Sequence, residues 1–230
     1  FPLFTKGAYF CPMALIRSVF QEELDGVSQS LVDLTNMVSD SIHKATQALI
    51  SADLKLAEEV ITNDEKVDNY QHDLDSRIID IIARQQPVAS DLRALVTALR
   101  MSADLERMGD LAHHVAKVAR LRHPNSAVPN ELHATFTQMG SVAEKIARKV
   151  GTVIETRNTL LALEVEKDDD EMDSLHREVI AALTSSNWNK GIDSAIDLTL
   201  LGRYYERYAD HAVSVARRVY FLVTGEYSPA

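Results

Sequence analysis

The sequence predicts an all-α protein in which an antiparallel three-helix bundle is written twice, and three observations carry that reading. Gly and Pro number only 8 and 6 in 230 residues, too few breakers for a fold of many short strands and turns. Apolar residues recur in alternating steps of three and four over long stretches, as one face of a helix requires. The second half of the chain then repeats the acidic and apolar signature of the first, as tandem structural units do.

The first helix follows from Phe20 through Leu24, Val27, Leu31, Leu34, Val38, Ile42, Ala45 and Leu49. Asp53 is placed to cap a second helix, whose apolar line is Val60, Val67, Leu74, Ile78 and Ile81 and which ends before Pro87. A third, with Leu92, Leu95 and Leu99 on its inner face, runs to about Leu121, ahead of Pro124. After Pro129 the plan restarts with Leu132, Phe136, Met139, Ala143, Ile146, Val150 and Val153. Asp64-Glu65-Lys66-Val67-Asp68 recurs 105 positions later as Asp169-Asp170-Glu171-Met172-Asp173, and Glu106-Arg107-Met108-Gly109-Asp110 recurs 100 positions later as Glu206-Arg207-Tyr208-Ala209-Asp210. The change of offset predicts a connection about five residues shorter in the second copy. Short connections make neighbouring helices antiparallel. The expected division is residues 13–122 for the first bundle and 123–230 for the second, related by an internal pseudo-two-fold. Residues 1–12 are read as an N-terminal extension outside the fold or an artefact of cloning or start-site choice.

Composition narrows function. A net charge of −10 and a pI near 5.2 argue against direct binding to nucleic acid, whose phosphates are neutralised by Lys and Arg. The single Cys11 cannot close an internal disulfide, which fits a reducing cytoplasm. The longest charge-free stretches, such as Leu132 to Ala143, fall well short of the roughly 20 apolar residues of a spanning helix. No Gly-rich phosphate loop, GxSxG elbow or zinc-protease helix is present, so nucleotide hydrolysis is not expected.

What remains is acid. Asp64 and Asp68, Glu106 and Asp110, Asp169 and Asp173, and Glu206 and Asp210 each stand four apart, one above the other on a helix face. At ~100° per residue, Glu106 and Asp110 lie within about 20° of the line of Leu99, so paired helices can present four carboxylates to one seam. One such pair is ordinarily a solvated face; four at matching places in two repeats are not. Crowded carboxylates repel unless protonated, paired or bound to a cation. Arg107 and Arg207 adjoin the acids, but neighbouring helical positions point ~100° apart, which makes them poor neutralisers within their own helix. A bound cation resolves the repulsion. Oxygen ligands suit magnesium, manganese or calcium, and carboxylate bridging supports iron; the spacing does not choose among them, and His72, His113, His114, His176 and His211 near the stripes shift that balance wherever they ligate. His72 and His113 continue an acidic stripe by one turn.

Pro87-Val-Ala-Ser-Asp-Leu-Arg93, then Asp104-Leu-Glu-Arg-Met-Gly-Asp110, with Tyr205-Glu-Arg-Tyr-Ala-Asp-His-Ala212 in the second copy, resembles the PhoU family over about residues 20–225. The resemblance implies two three-helix bundles whose acidic motifs bind metal clusters. Carried over here, the metal residues are Asp64, Asp68, Glu106, Asp110, Asp169, Asp173, Glu206 and Asp210, with iron, zinc, magnesium or manganese open. Leu111 stands where the second copy has His211, and Tyr204 and Tyr205 replace small or apolar residues, departures that bear on the shape of the second site. The resemblance further implies a cytoplasmic, non-enzymatic negative regulator of phosphate uptake and the phosphate-starvation response. It would be a homodimeric adaptor between the ATPase subunit of a phosphate ABC transporter and a sensor histidine kinase. Two rivals are a di-metal carboxylate oxidase and a purely structural helical adaptor. The oxidase class uses Glu-x-x-His, and no Glu here is followed three residues later by His.

Overall fold

The computed structural model describes residues 12–226, and their side chains from residue 19 onward. Six long helices and one short 3-10 turn make up the described chain: α1 (Pro12–Ser51), α2 (Leu54–Gln85), α3 (Ala89–Arg122), the turn Asn130–Leu132, α4 (His133–Thr156), α5 (Thr159–Thr184) and α6 (Ile192–Thr224). The all-helical expectation holds, with no strand among the described residues. Most of the expected N-terminal extension lies outside the described residues; Pro12 itself opens α1.

Helix ends follow local chemistry. Asp53 caps α2 as expected, accepting from the Leu56 amide at 3.0 Å, and Asn158 does the same for α5 toward Leu160 and Leu161. Each satisfies an amide that has no partner inside the helix. Gln86 ends α2 in the left-handed region, directly before Pro87.

Within each half the helices pack on one another, and the halves join through α1 against α4 and α3 against α6. The outer helices α2 and α5 cover the inner layer. One continuous core runs through both halves, from Leu34, Ile42 and Ile78 to Phe136, Ile146, Val179 and Tyr208. Two tyrosines fix the junction: Tyr208 donates to the Val38 carbonyl at 3.0 Å, and Tyr205 meets Thr46 Oγ1 at 2.8 Å. Both are fully buried, so Tyr205 is a core residue rather than part of the acidic surface.

The α1–α4 contact is close because Gly140 faces Thr46: a Cβ at 140 would stand 2.8 Å from Thr46 Cβ. We expect Gly140→Ala to cost about 2 kcal/mol through overpacking. Urea unfolding should show a lower midpoint at an unchanged m-value.

Two expectations are corrected. Leu92 is exposed rather than on the inner face. The buried face of α3 is Leu95, Ala98, Met101, Leu105, Met108 and Ala112, and the line of Leu92, Leu99, Glu106 and Asp110 is turned roughly 130° from its centre. The acids therefore occupy a shoulder at the seam with α2, not a prolongation of the core. The second correction concerns the hairpins. Residues 86–88 join α2 to α3, whereas 185–191 join α5 to α6, so the loop itself is longer in the second copy. The five missing residues come out of the helices, since α5 has 26 residues against 32 in α2.

Candidate functional site

The first acidic cluster forms where α2 and α3 run side by side. Gly109 permits that approach: a Cβ there would lie 3.0 Å from Val67 Cγ1 and 3.6 Å from Asp64 Oδ1. Asp64 is buried and accepts from His113 Nδ1 one turn beyond the motif. That leaves His113 Nε2 buried without a partner. Asp68, Glu106 and Asp110 are half-buried around it. Burial, followed by the charges of Asp64 and Asp110, pushes the Asp68 carboxyl above its ordinary pKa. Glu106 is raised by burial and then by Asp110, with smaller repulsion from Asp68 and Asp64. The four carboxylates thus share one electrostatic neighbourhood, as their spacing predicts.

Arg107 departs from expectation. Its guanidinium reaches Asp110 at 2.7 Å and Glu106 at 3.6 Å. The 100° offset of neighbouring positions does not prevent this, because the long side chain lies along the surface and spans one turn. Arg207 makes no ion pair among the described residues, and in the second copy Arg203 takes the role, pairing with Glu206.

The second cluster is less neutralised. Asp169 projects from α5 and Glu206 from α6, both half-buried, with Asp173 and Asp210 exposed beside them. Asp169 Oδ1 is buried without a hydrogen-bond partner. Burial, then Asp173, Asp210, Asp170 and Glu206, pushes the Asp169 carboxyl up to about 7. Among the described residues no Arg, Lys or His forms an ion pair with Asp169, Asp170, Asp173 or Asp210, whereas neighbouring Asp168 is held by Lys145 at 2.8 Å and Lys149 at 2.6 Å.

Because its pKa is raised, Asp169 stabilises the fold while protonated and loses that contribution as pH rises from about 4 to about 7. Asp169→Asn should leave stability unchanged at pH 4 and raise it by about 2 kcal/mol at pH 8, after allowance for solvent screening. Denaturant melts across that range read the difference.

The remaining histidines divide. His72 is exposed and its charge opposes the rise at Asp68. His176 packs against Gly202, where an added Cβ would be 3.0 Å from its ring. His114 stacks on Tyr204 across the α3–α6 contact at 5.2 Å. His211 turns away from the acids to Asp104, which also accepts from Ser214 at 2.9 Å and Arg218 at 3.0 Å. Those donors hold the Asp104 carboxyl below its usual range against the opposing effect of burial. Sequence reading missed this anchor. Its one signal was that Asp104 has Tyr204 as its repeat partner, a mismatch beside an otherwise matching motif.

Among the described residues, no three His, Cys, Asp or Glu side chains converge closely enough to hold an ion as they stand. The fit to a cation lies in charge and donor type: two quartets of oxygen donors, two buried donor atoms without partners (His113 Nε2 and Asp169 Oδ1), and in Asp68, Glu106 and Asp169 carboxyls raised above their ordinary pKa by burial and then by neighbouring acids. Loading would require Arg107 and Arg203 to swing away.

The PhoU domain family model matches residues 31–119 and again 136–219. The chain belongs to the PhoU family. Each matched PhoU domain contains one complete acidic quartet. The phosphate-specific transport system accessory protein PhoU homolog 2 of Mycobacterium tuberculosis is 42% identical over 212 residues, 92% of this chain and 100% of the relative. The PhoU homolog of Rhizobium meliloti is 30% identical, over 92% of this chain and 90% of its own. The crystal structure of PhoU from Pseudomonas aeruginosa superposes with a TM-score of 0.81 at 29% identity, covering 90% of this chain and 100% of that one. The PhoU of Streptococcus pneumoniae gives 0.80 at 26%, covering 92% and 100%. No helix among the described residues is long and apolar enough to cross a membrane.

Proposed function

We propose that this chain is a cytoplasmic negative regulator of phosphate uptake and of the phosphate-starvation response, and that it works by binding rather than catalysis. In this reading Asp64, Asp68, Glu106 and Asp110 hold one metal centre and Asp169, Asp173, Glu206 and Asp210 another. The chain then acts as an adaptor between the ATPase subunit of a phosphate ABC transporter and a sensor histidine kinase. Family membership supports the phosphate role, since the matched relatives are accessory proteins of phosphate-specific transport. The observation that carries the metal role is Asp169: a carboxyl with an orphaned buried oxygen, raised to about 7 by burial and surrounding acids, which a bound cation would relieve. A metal would supply positive charge that joins α2 to α3 and α5 to α6, while the carboxylates fix its place.

The test is elemental analysis of protein purified without chelator, beside a variant carrying Glu106→Gln, Asp110→Asn, Glu206→Gln and Asp210→Asn. Metal in the parent and its loss from a folded variant is the expected result; equal metal in both would sink the assignment. In a host carrying the variant as its only copy, phosphate-starvation genes should be derepressed in high phosphate. Normal repression there would detach the metal from regulation.

A further inference from the structure

We infer that the outer face of α6 is a docking surface for a basic amphipathic helix of a partner protein. Three exposed apolar side chains march along the start of α6 in steps of four: Ile192 at 79% exposure, Ile196 at 53% and Leu200 at 43%. Helices ordinarily turn such a stripe to the core; here it faces solvent. Beside it, Trp188, Gly191 and Ala195 complete a shallow hollow of about 490 Å³. Trp188 is fixed there by a hydrogen bond from its indole to the Gly191 carbonyl at 3.1 Å. The shortened α5 stops at Thr184, and the loop 185–191 follows.

The same face changes character further along. At ~100° per residue, Ile192, Ile196, Leu200, Glu206 and Asp210 fall within about 120° of arc, and Ile192 to Asp210 spans about 27 Å. Arg203, paired with Glu206, and Arg207 both lie on this face, but Asp170, Asp173, Glu206 and Asp210 outnumber them. Among the described residues Asp170, Asp173 and Asp210 have no ion pair, and in the metal-free protein they leave the far end negative. An apolar end and an acidic end on one straight 27 Å track are complementary to a helix with a Leu-type stripe and Lys or Arg beside it, the helix-in-groove mode of recognition. An exposed apolar stripe rimmed by charge suits an interaction site, and the charge selects a basic occupant over an acidic one. On α3 the corresponding Leu92 and Val96 are each only 38% exposed, and Arg100 stands where α6 has Leu200, so the second half is the one suited to the task.

The inference specifies partner chemistry for the adaptor role and rests on that role for its setting, but its test uses no metal and no gene-expression readout, so each can fail alone. The probe is a fluorescein-labelled helical peptide of about 18 residues, made only of Leu on one face and Lys on the other. Fluorescence anisotropy is read against the whole, chelator-treated protein at about 0.15 M salt. The parent should bind at least about tenfold more tightly than the variant Ile192→Ser, Ile196→Ser, Leu200→Ser, whose substitutions are all at exposed positions and leave net charge unchanged. Asp173→Asn with Asp210→Asn should also weaken binding and flatten its salt dependence. A composition-matched peptide without an apolar face, and a Leu/Glu peptide, should bind poorly. Equal binding of the parent and the triple-serine variant, or of the ordered and scrambled peptides, overturns the inference. So does a parent dimer in sedimentation that the triple-serine variant dissociates, because the face then belongs to a second copy.

Discussion

Adding a divalent cation to chelator-treated protein is expected to raise its melting temperature by several degrees. A ligand at one hundred times its Kd stabilises by about 2.7 kcal/mol per site, and a chain of this size moves about 2–4 °C for each kcal/mol. The gain should be larger at pH 8 than at pH 5, because the proton that Asp169 retains up to about 7 competes with metal for the same oxygens. Asp169→Asn with Asp173→Asn should remove the second cluster's share while leaving the metal-free protein at least as stable as the parent. The four-substitution variant of Glu106, Asp110, Glu206 and Asp210 should show almost no shift. Calorimetric scans with and without magnesium, manganese, iron(II) or zinc decide the matter. An identical shift in parent and variant would place binding elsewhere.

Phe136→Ala should lower stability by about 3–5 kcal/mol and should do so for both halves at once. Phe136 is fully buried and tilts against Tyr205 with ring centroids 6.1 Å apart, while Tyr205 reaches across to Thr46 on α1. A cavity there loosens α1, α4 and α6 together. Since the apolar core is continuous across the two bundles, unfolding should remain one transition in parent and variant. Hydrogen exchange should show protection falling alike at Ile42 and at Val150. Loss confined to α4–α6 would mean that each bundle is held by its own core.

The long elements were legible because their signal is redundant. Val60, Val67, Leu74, Ile78 and Ile81 mark one face of α2 with no competing pattern, and all five are buried. The eight acids were legible because the repeat showed them twice. What the sequence left hidden depends on side-chain reach and on which helices meet. Arg107 bends along its own surface to a residue three positions away, which a count of angles between neighbours does not capture. Asp104 finds its partners 107 to 114 positions away, and only the packing of α3 on α6 brings them together. The second hairpin misled in another way: an offset records residues lost between two motifs but not whether a loop or a helix gave them up.

The α3–α6 contact exchanges positions through the pseudo-two-fold, for Asp104 meets Ser214 where Tyr204 meets His114. In a dimer of identical chains such a contact is isologous, and any substitution appears on both sides. Fusing the copies into one chain lifts that obligation. One side of the axis carries a charged clamp and the other an aromatic stack, and a single codon change can alter either without touching its mirror image. The two acidic quartets inherit the same freedom: one keeps its His113 and Arg107 partners while the other leaves Asp169 unpaired, an inequality that a symmetric pair of half-length chains would be unable to encode.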